Sequence, residues 1–183
     1  MSRRTLFLTA LGLLLLVVTL AGYTKVMARI APGTPPAMAE ASARADAITV
    51  DKGARRLTLW RAGLPIRAYD ISLGAAPEGH KTREGDERTP VGDYVIDWRN
   101  ARSFAHLSLH VSYPAHADIA AAEARGEDPG GMIMIHGLPN GWGALGRLHL
   151  LWDWTDGCMA VTNAEMAEIW SLVPDGTPIT ITD

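Results

Sequence analysis

A single cysteine, Cys158, is all that the 183 residues hold, so no disulfide can form within the chain. An excess of positive charge is also lacking. Residues 1–44 carry five basic residues and one acidic, whereas residues 45–183 carry twelve basic and nineteen acidic, a net of −7. A domain of that charge repels a polyanion, which argues against a nucleic-acid partner. There is no internal repeat, and low-complexity sequence is confined to the stretch before residue 45. What remains is 48% hydrophobic, enough for one well-packed domain, and its eighteen glycines and eleven prolines suit a loop-rich β fold.

Long apolar runs are scarce as well. One spans residues 6–23, interrupted by Thr9, Gly12 and Thr19 and preceded by Arg3 and Arg4. At about 1.5 Å of rise per residue, a helix of roughly eighteen residues approaches the thickness of a bilayer core, and the two arginines favour a cytoplasmic N-terminus. Residues 1–23 therefore read as a signal anchor held in the cytoplasmic membrane through residues 6–23, or as a cleaved signal peptide. The run is long for a signal peptide, and Ala37-Met38-Ala39 lies far downstream for a cleavage site. No cysteine follows Leu20-Ala21-Gly22, so a lipoprotein anchor is not expected. Residues 24–45 combine three prolines with many alanines and no sustained periodicity, as in a flexible tether. Residues 46–183 are then a folded domain in the cell envelope, on the periplasmic or extracytoplasmic side. In that oxidising compartment an unpaired thiol is either an incidental small hydrophobe or chemically employed.

From residue 47 the pattern is mostly period two, which predicts a mainly β domain with peripheral helices. Residues 48–50 and 56–60 alternate around a short turn and read as a hairpin, and residues 66–73 as a third strand. Strands are further expected at 94–98, 107–113, 132–135, 157–161 and 179–181. A short alanine-rich helix is expected at 117–125. Residues 142–153 favour helix over strand. Thr162 or Asn163 caps a last helix, whose Met166, Ile169, Trp170 and Val173 form an apolar stripe.

Two segments place a reactive group at the end of an apolar strand. They are Ile133-Met-Ile-His136-Gly137 and Trp154-Thr-Asp-Gly157-Cys158-Met-Ala-Val161. A thiol becomes a useful nucleophile when a nearby imidazole takes its proton, and a glycine beside it lets a substrate carbonyl approach the backbone. His136 and Gly157 have the chemistry for these two tasks.

The order His-Gly, a long loop, then [Ser/Thr]-x-Gly-Cys resembles the signature of the YkuD-like L,D-transpeptidase family. Upstream, Arg83-Glu-Gly-Asp86 leading to Thr89-Pro90-Val91-Gly92 resembles that family's Thr-Pro-x-Gly hairpin, and the closing segment 173–181 is also similar. The resemblance implies a YkuD-like β-sandwich or mixed sheet preceded by the N-terminal transmembrane helix. It implies a cysteine acyltransferase that acts on peptidoglycan stem peptides and forms L,D cross-links through a thioester. Cys158 would be the nucleophile, His136 the general base, and the backbone at Gly157 and Cys158 the oxyanion donor. The Gly137 carbonyl would orient the imidazole. No cofactor and no metal are implied. An L,D-carboxypeptidase, with water as acceptor, uses the same acyl-enzyme, and a noncatalytic wall-binding module would keep the fold without the activity.

This chain departs from the family pattern at two places. Asp156 stands where a second histidine is common, two residues before the cysteine, and Ala160 stands two residues after it, where arginine or asparagine is common. Asp156 adds negative charge near the thiol, which tends to raise its pKa. Eighteen residues separate His136 from Thr155, and they include Trp142, Trp152 and Trp154, so that segment is expected to fold as a lid. Thr155, Asp156, His110, Arg83, Trp142 and Trp154 are candidate substrate contacts. Each also has an ordinary structural reading: Thr155 and Asp156 as turn residues, Arg83 as a solvated charge, the tryptophans as core. Of His106, His110, His149, His136 and Cys158, only His106 and His110 have close ligand spacing, and no third ligand is anchored beside them to complete a metal site.

Overall fold

The computed structural model describes residues 2–30 and 32–183. A long helix, α1 (Arg3–Ile30), leads into a domain built on eight strands: β1 (Ala47–Asp51), β2 (Arg56–Arg61), β3 (Leu64–Asp70), β4 (Gly92–Asn100), β5 (Ser108–Val111), β6 (Met134–His136), β7 (Met159–Ala160) and β8 (Pro178–Thr182). The helices α2 (His116–Glu123) and α3 (Asn163–Leu172) lie outside the sheet. The apolar helix foreseen over residues 6–23 continues to Ile30, and none of its residues is buried. Residues 32–44 run along the domain: Gly33 N–H donates to the His106 carbonyl at 2.9 Å, and Ala39 N–H to the Ser171 carbonyl at 2.9 Å.

The strands form one mixed sheet in the order β3-β2-β1-β8-β4-β5-β6-β7. The pairs β1–β8 and β6–β7 are parallel, and the others are antiparallel. β4 is the corner. Its first half pairs with β8 and its second half with β5, and the register shifts between Ile96 and Trp98. A bulge of this kind bends a strand and sharpens its twist, so the two halves of the sheet face each other. Of the sandwich or mixed sheet expected from sequence, the structure has the mixed sheet, curled on itself.

The third strand was expected over residues 66–73 but ends at Asp70. The next residues leave β2 and bond instead to the far end of the sheet. Ser72 exchanges two backbone hydrogen bonds with Ala160, at 3.0 and 2.9 Å, and Thr155 N–H donates to the Leu73 carbonyl at 3.1 Å. These bonds bring the two ends of the curl together. They seat the strand that follows Cys158 between β6 and the segment after β3.

Alternation along the strands fills the space inside the curl. Ile48, Val50, Leu57, Leu59, Ile179 and Ile181 from one half meet Leu107, Leu109, Val111, Ile133, Ile135, Met159 and Val161 from the other in one buried cluster. α3 adds Met166, Ile169 and Trp170 to the same core. Thr162 is its N-cap, accepting from Glu165 N–H at 3.3 Å while the Glu165 carboxylate accepts from Thr162 N–H at 2.9 Å. Arg99 on β4 ties down the other end. Its guanidinium donates to the Val173 carbonyl at 2.7 Å and lies 4.8 Å from the centre of the Trp170 ring.

Ile135, one residue before His136, is fully buried. Ile135→Ala is expected to lower stability by about 2–5 kcal/mol in denaturant unfolding, through lost transfer energy and the cavity left behind. Leu151→Ala, at a side chain 73% exposed, is expected to stay within about 0.5 kcal/mol of the parent in the same assay.

Candidate active site

β6 and β7 pair in parallel, with Ile135 opposite Met159 and His136 opposite Ala160. Ile135 and Met159 point into the core. By alternation the next side chains on each strand point to the other face, so Met134, His136, Cys158 and Ala160 share a face outside the core. Cys158 and His136 sit diagonally across this pair. His110, opposite Met134 on β5, lies on that same face but one strand further from the cysteine. Its Nδ1 is 2.6 Å from Asp97 at the β4 bulge, and its ring stacks on Trp98 at 4.8 Å.

The loop before β7 is held from within. The Thr155 hydroxyl donates to the Cys158 carbonyl at 2.7 Å and accepts from Gly157 N–H at 3.2 Å. Gly157 has φ of +117°, and a Cβ there would lie 2.5 Å from the Arg88 carbonyl oxygen, so the turn requires glycine. The Gly157 N–H is engaged by Thr155. The Cys158 N–H has no protein acceptor among the described residues.

The sulfur is half-buried, with two backbone partners. Sγ accepts from Met134 N–H at 3.4 Å and donates to the Met132 carbonyl at 3.6 Å. Burial pushes the thiol up to about 11. The Met134 N–H opposes that shift, the Asp156 charge adds to it, and Lys81 opposes it. Lys81 is nearly fully buried and pairs with Asp86 at 2.9 Å. Asp86 also accepts from the N–H groups of Thr82, Arg83 and Arg88. Burial alone would raise its carboxyl, but the Lys81 bond and these three N–H groups outweigh it and bring the value down to about 2. A cleft of about 450 Å³, lined by Lys81, Glu84, Met132 and Asp156 among others, adjoins the cysteine through Met132 and Asp156.

His136 is buried, and its Nδ1 lies 2.6 Å from the Gly137 carbonyl. A carbonyl can only accept, so Nδ1 carries the proton and Nε2 is left as the acceptor. Burial holds the imidazole below the usual histidine range, against the pull of the Gly137 carbonyl and with a smaller push from His149 in the same direction. The turn after His136 is fixed by α3: Asn163 Oδ1 accepts from Leu138 N–H at 2.8 Å. No hydrogen bond joins the imidazole to Sγ among the described residues.

The segment expected to act as a lid, hereafter the lid, begins after β6. Residues Gly143–Leu151 form 3₁₀ turns, broken at Gly146, where helix had been expected. Asp153 pins its far end by accepting from Leu73 N–H at 2.9 Å and from Arg55 at 2.7 Å. Trp154 meets the His136 ring edge to face at 5.8 Å and the His149 ring at 6.4 Å. Ser72 donates its hydroxyl proton to the His149 carbonyl at 2.9 Å and lies 3.1 Å from Nδ1, so Nδ1–H donates and Nε2 is unprotonated. His149 Nε2 and Trp154 Nε1 are the buried side-chain polar atoms without a partner among the described residues. Both residues line an apolar cavity of about 220 Å³ beneath the lid.

Of the sequence candidates, Cys158, His136, Gly137, Thr155, Gly157, Asp156 and Trp154 come together here. Trp142 lies at the start of the lid, against α1. Arg83 is exposed, and its backbone N–H serves Asp86. Sequence reasoning missed Lys81, the bond from the turn after His136 to Asn163, and the Ser72–His149 pair. Only the Arg83–Asp86 segment hinted at the first, because a buried lysine needs an acid. Among the described residues, no three His, Cys, Asp or Glu side chains gather as a metal site.

Residues 45–181 match the family model of the L,D-transpeptidase catalytic domain, YkuD. No curated protein matches the chain. Among solved structures, the helical cell shape determining protein Pgp2 from Campylobacter jejuni superposes with a TM-score of 0.57. Identity is 20%, over 87% of this chain and 55% of that one. Bd1075 from Bdellovibrio bacteriovorus gives a TM-score of 0.53 at 23% identity, over 83% of this chain and 53% of that one. The chain thus spans about half the length of these two proteins, and at such identities the likeness is one of fold. With three quarters of its length matched by the family model, the chain belongs to the YkuD L,D-transpeptidase catalytic-domain family.

Proposed function

We propose that this chain is a membrane-anchored L,D-transpeptidase of the cell envelope, forming cross-links between peptidoglycan stem peptides through a thioester on Cys158. One observation carries the reading: Cys158 and His136 share the outward face of β6–β7, and the Gly137 carbonyl leaves His136 Nε2 as an unprotonated base. The family supplies the substrate class. α1 is long and apolar enough to cross a membrane, which supports the anchor.

Both groups are neutral at rest, because burial disfavours thiolate and imidazolium alike. The thiol is therefore activated by general-base catalysis during attack rather than as a standing ion pair. Sγ leaves the Met132 carbonyl by a change of χ1 and turns toward Nε2, a tightening that substrate commonly brings about. Nε2 takes the thiol proton as sulfur bonds to the carbonyl carbon of the L-centre. The oxyanion forms against the free Cys158 N–H. When the tetrahedral intermediate collapses, the carbon–nitrogen bond breaks and the imidazolium returns its proton to the departing D-amino acid. An amine of a second stem then attacks the thioester, gives up its proton to Nε2, and regenerates the thiol. Water in place of the amine makes the same chain an L,D-carboxypeptidase.

Incubating the full-length protein with tetrapeptide muropeptides and resolving the products by mass spectrometry tests this. Cross-linked dimers are expected from the parent and none from Cys158→Ala, with His136→Ala slower by about 10²–10⁴-fold. Tripeptides without dimers would replace transfer by hydrolysis, and unchanged substrate with the parent protein would sink the catalytic reading in favour of a wall-binding module.

The pH profile gives a second check. Thiolate is the reactive form toward iodoacetamide, so alkylation of free Cys158 is expected to rise about tenfold per pH unit through neutrality and to level off only near the thiol value of about 11. Asp156→Asn removes a negative charge that keeps the proton on sulfur and should move the profile to lower pH. An unmoved profile would mean that Asp156 does not act on the thiol.

A further inference from the structure

α1 does not stop where its apolar run stops. Its last two turns are joined to the loop that opens the lid. Tyr23 donates its hydroxyl proton to the Gly141 carbonyl at 3.0 Å, the Trp142 indole N–H donates to Thr24 Oγ1 at 3.0 Å, and Asn140 Nδ2 donates to the Ala28 carbonyl at 3.4 Å. The Tyr23 and Trp142 rings meet edge to face at 5.7 Å. Gly141, with φ of +87°, lets the loop come so near that a Cβ would lie 2.7 Å from Met27 Cγ. The lid therefore starts at the level of the helix where the apolar run ends, which for a spanning helix is the bilayer surface. Tyrosine and tryptophan at that level suit the headgroup region.

The lid itself has the composition of a surface that lies in an interface. Leu145 (38% exposed), Leu148 (59%), Leu151 (73%) and Trp152 (57%) all project from residues 145–152. That segment contains no carboxylate, and its one fixed charge is Arg147. Leu145 and Trp152 wall the same apolar cavity as Thr24 of α1, so the cavity lies between lid and helix. Exposed apolar side chains clustered at this density mark a contact surface.

We propose that the lid is a membrane-contact surface: Leu148, Leu151 and Trp152 enter the headgroup–acyl boundary of the same bilayer that α1 spans. This rests on the reading of α1 as a retained anchor. Exposed leucine and tryptophan on one short segment are side chains that lie down in such a boundary, and the segment's one cation, Arg147, is held back by Asp70 at 2.5 Å and Glu165 at 3.6 Å. The lid also begins and ends next to the proposed base, through Gly137 and Trp154.

Nitroxide quenching in vesicles tests this on the full chain. In a Cys158→Ala background, Val17→Cys, Leu148→Cys, Leu151→Cys and Glu123→Cys are each labelled with an environment-sensitive fluorophore. Each is then reconstituted into phosphatidylcholine–phosphatidylglycerol vesicles, with or without lipid carrying the nitroxide near the headgroup or deep in the chain. These positions are exposed, so the substitutions leave the core intact. About a twofold or greater loss of emission is expected at 148 and 151 with the shallow nitroxide, at 17 with the deep one, and at 123 with neither. Quenching at 17 without quenching at 148 and 151 would overturn the lid contact and leave the anchor standing. No quenching at 17 would overturn the anchor and the contact with it, and equal quenching at 123 would reduce the contact to unspecific adsorption.

Discussion

The parallel register of β6 on β7 is the constraint from which the rest of the site follows. With Ile135 opposite Met159, the core face of both strands is filled, and the side chains one position away are turned to the opposite face. A slip of one residue in either strand would carry Cys158 or His136 into the core and expose a large apolar side chain instead. The hydrophobic free energy that packs Ile133, Ile135, Met159 and Val161 is thus also what aims the thiol and the imidazole. Parallel pairing further demands a long crossover, because two parallel strands cannot be joined by a tight turn. The segment 137–158 is that crossover, and it returns to the site at Trp154, whose ring meets His136 at 5.8 Å.

Around this pair the protein keeps both groups uncharged. Burial is the leading cause at Cys158 and at His136, and it acts in the same sense on each: the neutral form is favoured. The fixed charges nearby are small corrections. Asp156 holds the proton on sulfur, while Lys81, held in a buried pair with Asp86, works against it. A thiol that keeps its proton is a poor target for oxidants.

The N-terminal helix is continuous with that design rather than a separate leash. Three hydrogen bonds and an aromatic contact tie residues 23–28 to the loop 140–142, and residues 32–44 bond along the domain. The distance between the apolar run and the lid is therefore set by folded contacts, which neither composition nor periodicity could have indicated.

Much of the architecture was legible in the sequence because period-two alternation reports directly on a sheet with one buried face. The hairpin at 48–60, the strand ending in His136, the cap at Thr162 and the single apolar run all follow from local rules. The residues flanking His136 and Cys158 also marked both as candidates, and the strand register brings them to one face. The sequence by itself determined which groups could react and which faces had to be buried. Tertiary structure alone decided the rest, because it depends on contacts between residues far apart in the chain: the closure of the curl through Ser72 and Ala160, the burial that neutralises the thiol and the imidazole, the Lys81–Asp86 pair beside the cleft, and the seat of the lid against α1. A side chain's charge state and neighbours are set by what packs over it, and that is not written in the residues next to it.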